Sequence, residues 1–377
     1  MDCSEYWPSL EEYLGAFMRK ADAERVPIAG SISLTDRCNL DCVHCYVGPH
    51  REVDAAKARD EMSTDQILSC LDQVAEAGCL SLLFSGGEPL LRRDFPTIYE
   101  RAKKKGFLVS VFTNGTLIDE SILDLFDDLP PQGVEISVYG SAASTHDLIT
   151  RTPGSFDRCL AGVERLLKRK IRLKLKTILM TLNRHEFSAI QELARSRGLD
   201  FRLDPAIFPT FGGDRSPLEL RVSAEEAVAF DFADRGRARA WTRHFSRGAA
   251  AESSNALYQC GAGQRTFHID STGKLRPCLM VRNESYSYDL KSGSFQSGWS
   301  EVVARVREAK AGVDYACNRC EKRTLCGLCP AFNRLETERE DQPSDYACAI
   351  GQLRFRAIQK ELSEGGHDEE RQYRKSA

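Results

Sequence analysis

Between residues 28 and about 210 the chain alternates two apolar patterns. Short runs rich in β-branched, aromatic and leucine side chains, bounded by Gly, Asn, Asp or Pro, predict strands at 28–34, 80–84, 108–112, 134–139, 173–180 and 200–204. Between them apolar residues recur at helical spacing. In 65–77 they fall at Ile67, Leu68, Leu71 and Val74. The stretch 95–105 ends in Lys103, Lys104 and Lys105 before Gly106, a basic last turn closed by a C-capping glycine. Segments 156–169 and 186–197 repeat the idea, the latter closing at Gly198. Six strands joined by crossover helices imply a parallel sheet curved into a barrel or part of one. A closed eight-fold barrel takes about 250 residues. This segment is shorter, so the expected fold is α/β, a partial (β/α)6 TIM-like barrel.

The flanking regions read differently. Residues 1–27 form a short lead, and 28–210 the barrel. A connecting segment, 211–258, opens on the loop Phe211-Gly212-Gly213-Asp214 and continues into a charged, alanine-rich helical stretch at 224–240. The loop region 204–220 lies where barrel loops would face a substrate, although Pro- and Gly-rich stretches are also ordinary surface linkers. From 259 to 352 the chain is turn-rich with few periodic runs, as expected of a region held together by metal rather than by a large core. Residues 353–377 are expected to be a C-terminal helix and a charged tail that frays beyond 360.

Composition narrows the function classes. The 377 residues carry a formal net charge of −3 and 42% hydrophobic side chains, ordinary for a globular chain. With charge near balance and no basic stripe, nucleic acid is not an expected partner. No apolar run approaches the ~18 residues that span a bilayer, so no membrane is expected. The N-terminus lacks the basic-then-apolar order of a signal peptide, and the expected location is cytoplasmic.

The fourteen cysteines change the picture most: three lie between 38 and 45, seven between 260 and 348, and Cys3, Cys70, Cys79 and Cys159 are scattered. Cys70, Cys79 and Cys159 sit in periodic apolar settings and read as buried small hydrophobes. Clustered cysteines in a cytosolic chain read as metal ligands. Cys38, Cys42 and Cys45 are spaced C-x3-C-x2-C directly after the first strand. Structural zinc takes four ligands, and His44, adjacent to Cys45, is poorly placed to be the fourth. Three thiolates on a short loop suit a four-iron cluster with one iron left open to a further ligand. At the end of the second strand stands Phe84-Ser85-Gly86-Gly87-Glu88-Pro89. Its glycines allow close backbone approach to a ligand, and Glu88 offers an acceptor. In parallel barrels this C-terminal end of the strands carries the chemistry.

With CNLDCVHC and SGGEP together, residues 28 to about 205 resemble the radical S-adenosylmethionine superfamily. The resemblance implies a [4Fe–4S] cluster on Cys38, Cys42 and Cys45, whose open iron is chelated by the amine and carboxylate of S-adenosyl-L-methionine (SAM). It implies that Gly86, Gly87 and Glu88 receive that amine, that His44 lies beside the adenine, and that Ser137, ending the fourth strand, contacts the ribose or carboxylate. Thr113 and Asn114 are weaker candidates, since Asn114-Gly115 also reads as a plain turn. The chemistry implied is reductive cleavage of SAM to a 5′-deoxyadenosyl radical that abstracts hydrogen from a substrate, with a flavodoxin- or ferredoxin-type electron donor.

The C-terminal cysteines run Cys260, Cys278, Cys317-x2-Cys320-x5-Cys326-x2-Cys329 and Cys348. Paired C-x2-C units suit zinc, but seven ligands do not divide into tetrahedral sites. The spacing resembles the SPASM domain, which binds two auxiliary [4Fe–4S] clusters and would bring the total to three. By position, Cys260, Cys278 and Cys329 would serve one, and Cys317, Cys320, Cys326 and Cys348 the other. The gap between Cys326 and Cys329 is one residue shorter than the usual form, and the first set lacks a fourth cysteine. SPASM enzymes commonly modify peptides or proteins, so a peptide substrate of ribosomal origin is expected, with a separate peptide-recognition protein a possible partner. Alternatives are a small-molecule substrate and a sulfatase-maturing, formylglycine-generating activity. The latter subgroup places an acidic residue after its second auxiliary cysteine, whereas Cys278 is followed by Leu279. A non-catalytic metal scaffold would have no use for an open iron. The sequence nominates no catalytic side chain.

Overall fold

The computed structural model describes residues 9–48, 60–204, 206–248, 255–327 and 329–375. Two compact units divide it: Met1–Thr177, Glu186–Leu203 and Gln259–Glu308 form the first, and Ile178–His185, Asp204–Tyr258 and Ala309–Ala377 the second. These units do not follow the expected boundaries, because residues 259–308 group with the barrel.

The first unit is built on parallel strands β1 (Ala29–Thr35), β2 (Ser81–Gly86), β3 (Leu108–Thr113), β4 (Gly133–Ser137), β5 (Leu173–Ile178) and β6 (Asp200–Asp204). The sheet order is β6-β5-β4-β3-β2-β1 and then three further strands, β7 (Thr266–Ile269), β8 (Lys274–Arg276) and β9 (Tyr288–Asp289). Period-two alternation explains which face is which. Ile32, Leu34, Leu82, Phe84, Val109, Val111, Val134, Ile136, Leu173 and Leu175 are all buried in one core. The helices covering that core include α2 (Thr64–Glu76), α3 (Phe95–Lys104), α4 (Glu120–Asp128), α5 (Ala143–Thr150), α6 (Ser155–Lys168) and α7 (Phe187–Arg195). The alternate residues, among them Ser31, Ser33, Ser85, Phe112, Glu135, Ser137 and Lys176, occupy the other face.

The six expected strands and the four expected helices are present within two or three residues. Three helices went unread. α1 (Leu10–Ala23) lies in the expected lead and opens on a capping box in which Ser9 and Glu12 satisfy each other's backbone N–H. α4 and α5 are only 9 and 8 residues long, too short to give a strong period.

A larger difference is the sheet extension. β7 runs parallel to β1, with Gly30 opposite Phe267, and β8 returns antiparallel. A Cβ on Gly30 would lie 2.0 Å from the Phe267 ring, so the end of that ring fills the space a side chain would take. Strands of 4, 3 and 2 residues carry almost no alternation for a sequence reading to detect.

The second unit contains α8 (Ala224–Ala233), α9 (Arg235–Gly248), α10 (Pro330–Thr337) and α11 (Asp345–Lys375). The expected single stretch at 224–240 is two helices, and the C-terminal helix starts eight residues earlier than expected. Its backbone stays helical to Lys375 instead of fraying beyond 360. Arg354 ties this unit together: its guanidinium bonds Asp231 at 2.7 Å, donates to the Leu325 carbonyl at 2.7 Å and lies 3.8 Å from the Trp241 ring centroid. Among the described residues no helix is long and apolar enough to cross a membrane.

Candidate active site

The loop that follows β1 carries Cys38, Cys42 and Cys45. It is pinned on one side to α5, where the Asp41 N–H donates to the Thr150 carbonyl at 3.1 Å and the Val43 N–H to that of Ile149 at 2.9 Å. On the other side it meets the end of β2. The Gly87 N–H donates to the Thr35 carbonyl at 2.8 Å and the Glu88 N–H to that of Arg37 at 2.9 Å. A Cβ on Gly86 would stand 2.2 Å from the Thr35 oxygen, and one on Gly87 2.2 Å from that of Arg37. The two glycines therefore let the β2 end press against the cysteine loop. Approach to a ligand, the reason expected from sequence, is a further use of the same bare backbone.

Glu88 is wholly buried. Its Oε1 accepts from the Thr113 hydroxyl at 2.8 Å and the Leu90 N–H at 3.1 Å, and its Oε2 from the Asn114 N–H at 2.7 Å. Burial pushes its carboxyl up to about 7 against the pull of those donors. Thr113 and Asn114 thus belong to the Glu88 anchor. Asn114 also donates to Asn39 at 2.8 Å and lies 3.8 Å from the Cys38 sulfur, so it joins the anchor to the cysteine loop.

The three thiols are close enough to burden one another electrostatically. Cys38 is pushed up to about 12, first by burial and then by the Glu88 charge, with Cys45 adding to it. Cys42 is raised by burial, then by Cys45 and Cys38. Buried thiolates that repel one another are stable only around a cationic centre, which is what an iron–sulfur cluster provides. Among the described residues no three His, Cys, Asp or Glu side chains converge tightly enough for a single metal ion. A cubane holds its ligand sulfurs farther apart than a lone ion does.

His44 is 6% exposed, and its Nδ1 is buried without a hydrogen-bond partner. Burial lowers its pKa to about 4, so the ring is neutral. It meets Tyr139 edge-on, with centroids 4.6 Å apart. Ser137 ends β4 and hydrogen-bonds the Tyr139 side chain.

Glu186 holds α5 in place. It accepts from the Ser141 N–H at 2.7 Å and its hydroxyl at 2.9 Å, and from the Thr145 hydroxyl. Removing it in Glu186→Ala leaves those donors at the start of the helix that seats the cysteine loop. The expected cost is about 2 kcal/mol, read as a lowered urea midpoint. An unchanged midpoint would show that α5 is held by packing alone.

Cys260 and Cys278 lie in the first unit within electrostatic reach of each other, and Arg307 donates to the Cys260 carbonyl at 2.7 Å. In the second unit Cys317, Cys320, Cys326 and Cys348 line one cavity of about 370 Å³, together with Lys322, Arg323, Phe355 and Arg356. Cys329 is in the same unit, at the N-cap of α10. Cys70, Cys79 and Cys159 are buried in the first unit's core, as their apolar settings imply. Cys3 lies outside the described residues.

Thiols, glycines and a buried carboxylate are thus gathered at the C-terminal end of a parallel sheet. Residues 32–195 match the Radical SAM superfamily. Those residues are a radical SAM domain, and a domain of this kind implies an enzyme that uses SAM and a [4Fe–4S] cluster. An AdoMet-dependent heme synthase of Methanosarcina barkeri is 28% identical over 319 residues, covering 79% of this chain and 89% of the relative. A PqqA peptide cyclase of Xanthomonas oryzae pv. oryzae is 27% identical over 312 residues, covering 79% of this chain and 81% of the relative. The fold is shared with Streptococcus suis SuiB, solved bound to precursor peptide SuiA. The TM-score is 0.67 at 13% identity, covering 89% of this chain and 80% of that one.

Proposed function

We propose that Cys38, Cys42 and Cys45 are the three protein ligands of the SAM-binding [4Fe–4S] cluster, and that the substrate is a peptide or protein. The observation that carries this reading is the convergence of the three thiols beside Glu88 and the tight β2 turn. When bound, the cluster and SAM supply the one-electron chemistry that removes a hydrogen atom from a substrate. The polypeptide does the rest. The Gly86–Gly87 turn fixes the cysteine loop, Glu88 holds the end of β3, and His44 and Ser137 flank the cofactor. The inner sheet face positions the reacting carbon and keeps water away.

The same reading extends to the second cysteine set. Cys317, Cys320, Cys326 and Cys348 are the ligands of one auxiliary four-iron cluster, and their shared cavity supports that. Cys260 and Cys278, within electrostatic reach of each other in the first unit, serve another. Lys322, Arg323 and Arg356 give the four-thiol cavity a basic rim suited to an acidic electron carrier of flavodoxin or ferredoxin type. Anaerobically prepared enzyme is expected to hold about twelve irons. About four, or zinc in their place, would overturn the auxiliary-cluster assignment.

Likeness to a peptide cyclase along most of both chains supports the peptide reading. Likeness to a heme synthase over a similar span favours a second one, a small-molecule substrate such as a heme precursor. Mass spectrometry of the product of a neighbouring short open reading frame, co-expressed with and without this enzyme, tests the first. A mass change dependent on the intact cysteine loop supports it. No change in the peptide, with conversion of an iron-porphyrin precursor instead, would overturn it. In either case Cys320→Ala is expected to spare SAM cleavage more than substrate turnover, and equal loss of both would leave that cluster a structural role alone.

A further inference from the structure

We infer that Tyr139 is a cofactor-contacting residue, the piece that joins His44 to Ser137 in the SAM pocket. Its position follows from four contacts. One side of the ring receives His44 edge-on at 4.6 Å with an interplanar angle of 72°. The ring also stacks on His146 at 5.8 Å and 30°. The Tyr139 backbone N–H donates to His146 Nδ1 at 3.2 Å, which fixes that imidazole as the neutral tautomer with its proton on Nε2. The phenol hydrogen-bonds Ser137, and its oxygen lies within electrostatic reach of Cys42, Cys45 and Cys38.

This arrangement is built rather than incidental. His146 is 1% exposed and packs in turn on Phe156, with ring centroids 5.6 Å apart, so a rigid aromatic column stands under Tyr139. Gly140 follows directly, and a Cβ there would lie 2.7 Å from the His146 backbone nitrogen, so the turn that delivers Tyr139 tolerates no larger residue. Tyr139 as a whole is half-buried, while burial of its phenol raises the phenol's pKa. A buried phenol on a fixed ring next to a serine and three thiols is placed to serve a ligand seated there. Its O–H donates to the polar part of a ligand seated at those thiols, and its T-shaped contact keeps His44 upright beside that ligand.

This inference rests on the cluster and SAM assignment and is independent of substrate class. The test uses anaerobically reconstituted full-length enzyme with SAM alone as probe. It follows the reduced first cluster's electron paramagnetic resonance signal and SAM affinity. Tyr139→Phe keeps the aromatic column and removes the O–H. Its SAM affinity is expected to fall about tenfold, one hydrogen bond's worth, with an altered SAM-dependent signal and unchanged iron content. Tyr139→Leu also frees His44 and is expected to weaken binding further. His146→Phe, which keeps stacking but not the backbone hydrogen bond, is expected to give a smaller loss. Wild-type affinity and signal in Tyr139→Phe would overturn the inference while leaving the family assignment standing. A wild-type enzyme whose signal ignores SAM would instead sink the cofactor reading itself.

Discussion

Cys42→Ala is expected to abolish reductive cleavage of SAM and to remove about four irons, while the C-terminal cysteines keep theirs. The geometry makes this the most severe single change. Cys42 lies centrally in its loop between two backbone bonds to α5, from Asp41 and Val43, so no neighbouring side chain can swing in to replace it. His44, the nearest alternative donor, points its ring at Tyr139. The first unit's core does not depend on the thiol, so the protein is expected to stay folded, with a far-ultraviolet spectrum like that of the wild type. Chromatographic measurement of 5′-deoxyadenosine under reducing, air-free conditions decides the matter. Production near the wild-type rate would refute the assignment of the loop.

Gly86→Ala is expected to be the most damaging change that leaves every candidate ligand in place. Gly86 has φ of 135°, a conformation that side chains other than hydrogen rarely adopt, and its added Cβ would stand 2.2 Å from the Thr35 oxygen. Strain and backbone overlap together cost about 3 kcal/mol or more. Because the neighbouring Gly87 and Glu88 N–H groups bond the same loop, relief of the overlap moves the cysteines. Metal loading and stability are therefore expected to fall together. Gly198→Ala is the control. It also has a positive φ, 67°, but nothing lies within 4 Å of its added Cβ, so only the conformational cost of about 1 kcal/mol remains. Urea midpoints of the two variants, measured without metal, separate packing from strain. Equal losses would show that the contact with Thr35 yields without penalty.

The sequence reading succeeded where the physics is local. β3, β4 and β5 bury every second residue in one core, so their apolar rhythm survives in the chain, and the cysteine spacing and Gly-Gly-Glu-Pro turn are equally local. What escaped depends on distant partners. β7 is four residues long and is a strand because β1 has an open edge for it. Thr113 and Asn114 read only as weaker cofactor contacts or, at Asn114-Gly115, a plain turn, because only the folded sheet brings Glu88 to them. Tyr139 stands two positions after Ser137, and its ring contacts come from elsewhere in the fold. Nothing in the local EISVYG string shows that His146 will stack on it. The glycines were found for an incomplete reason, since the surface they must clear is the chain's own backbone.

The attachment of β7 to β1 limits how this molecule can be dissected. A fragment ending near residue 258 would retain the whole superfamily match, yet it would strip Phe267 from Gly30 and leave β1 with a row of unsatisfied amide and carbonyl groups. Such a piece would be drawn to pair with copies of itself and to precipitate. Gene-shuffling experiments that graft a new cysteine-rich tail onto this barrel should therefore keep the chain through at least Asp289, the last residue of the shared sheet.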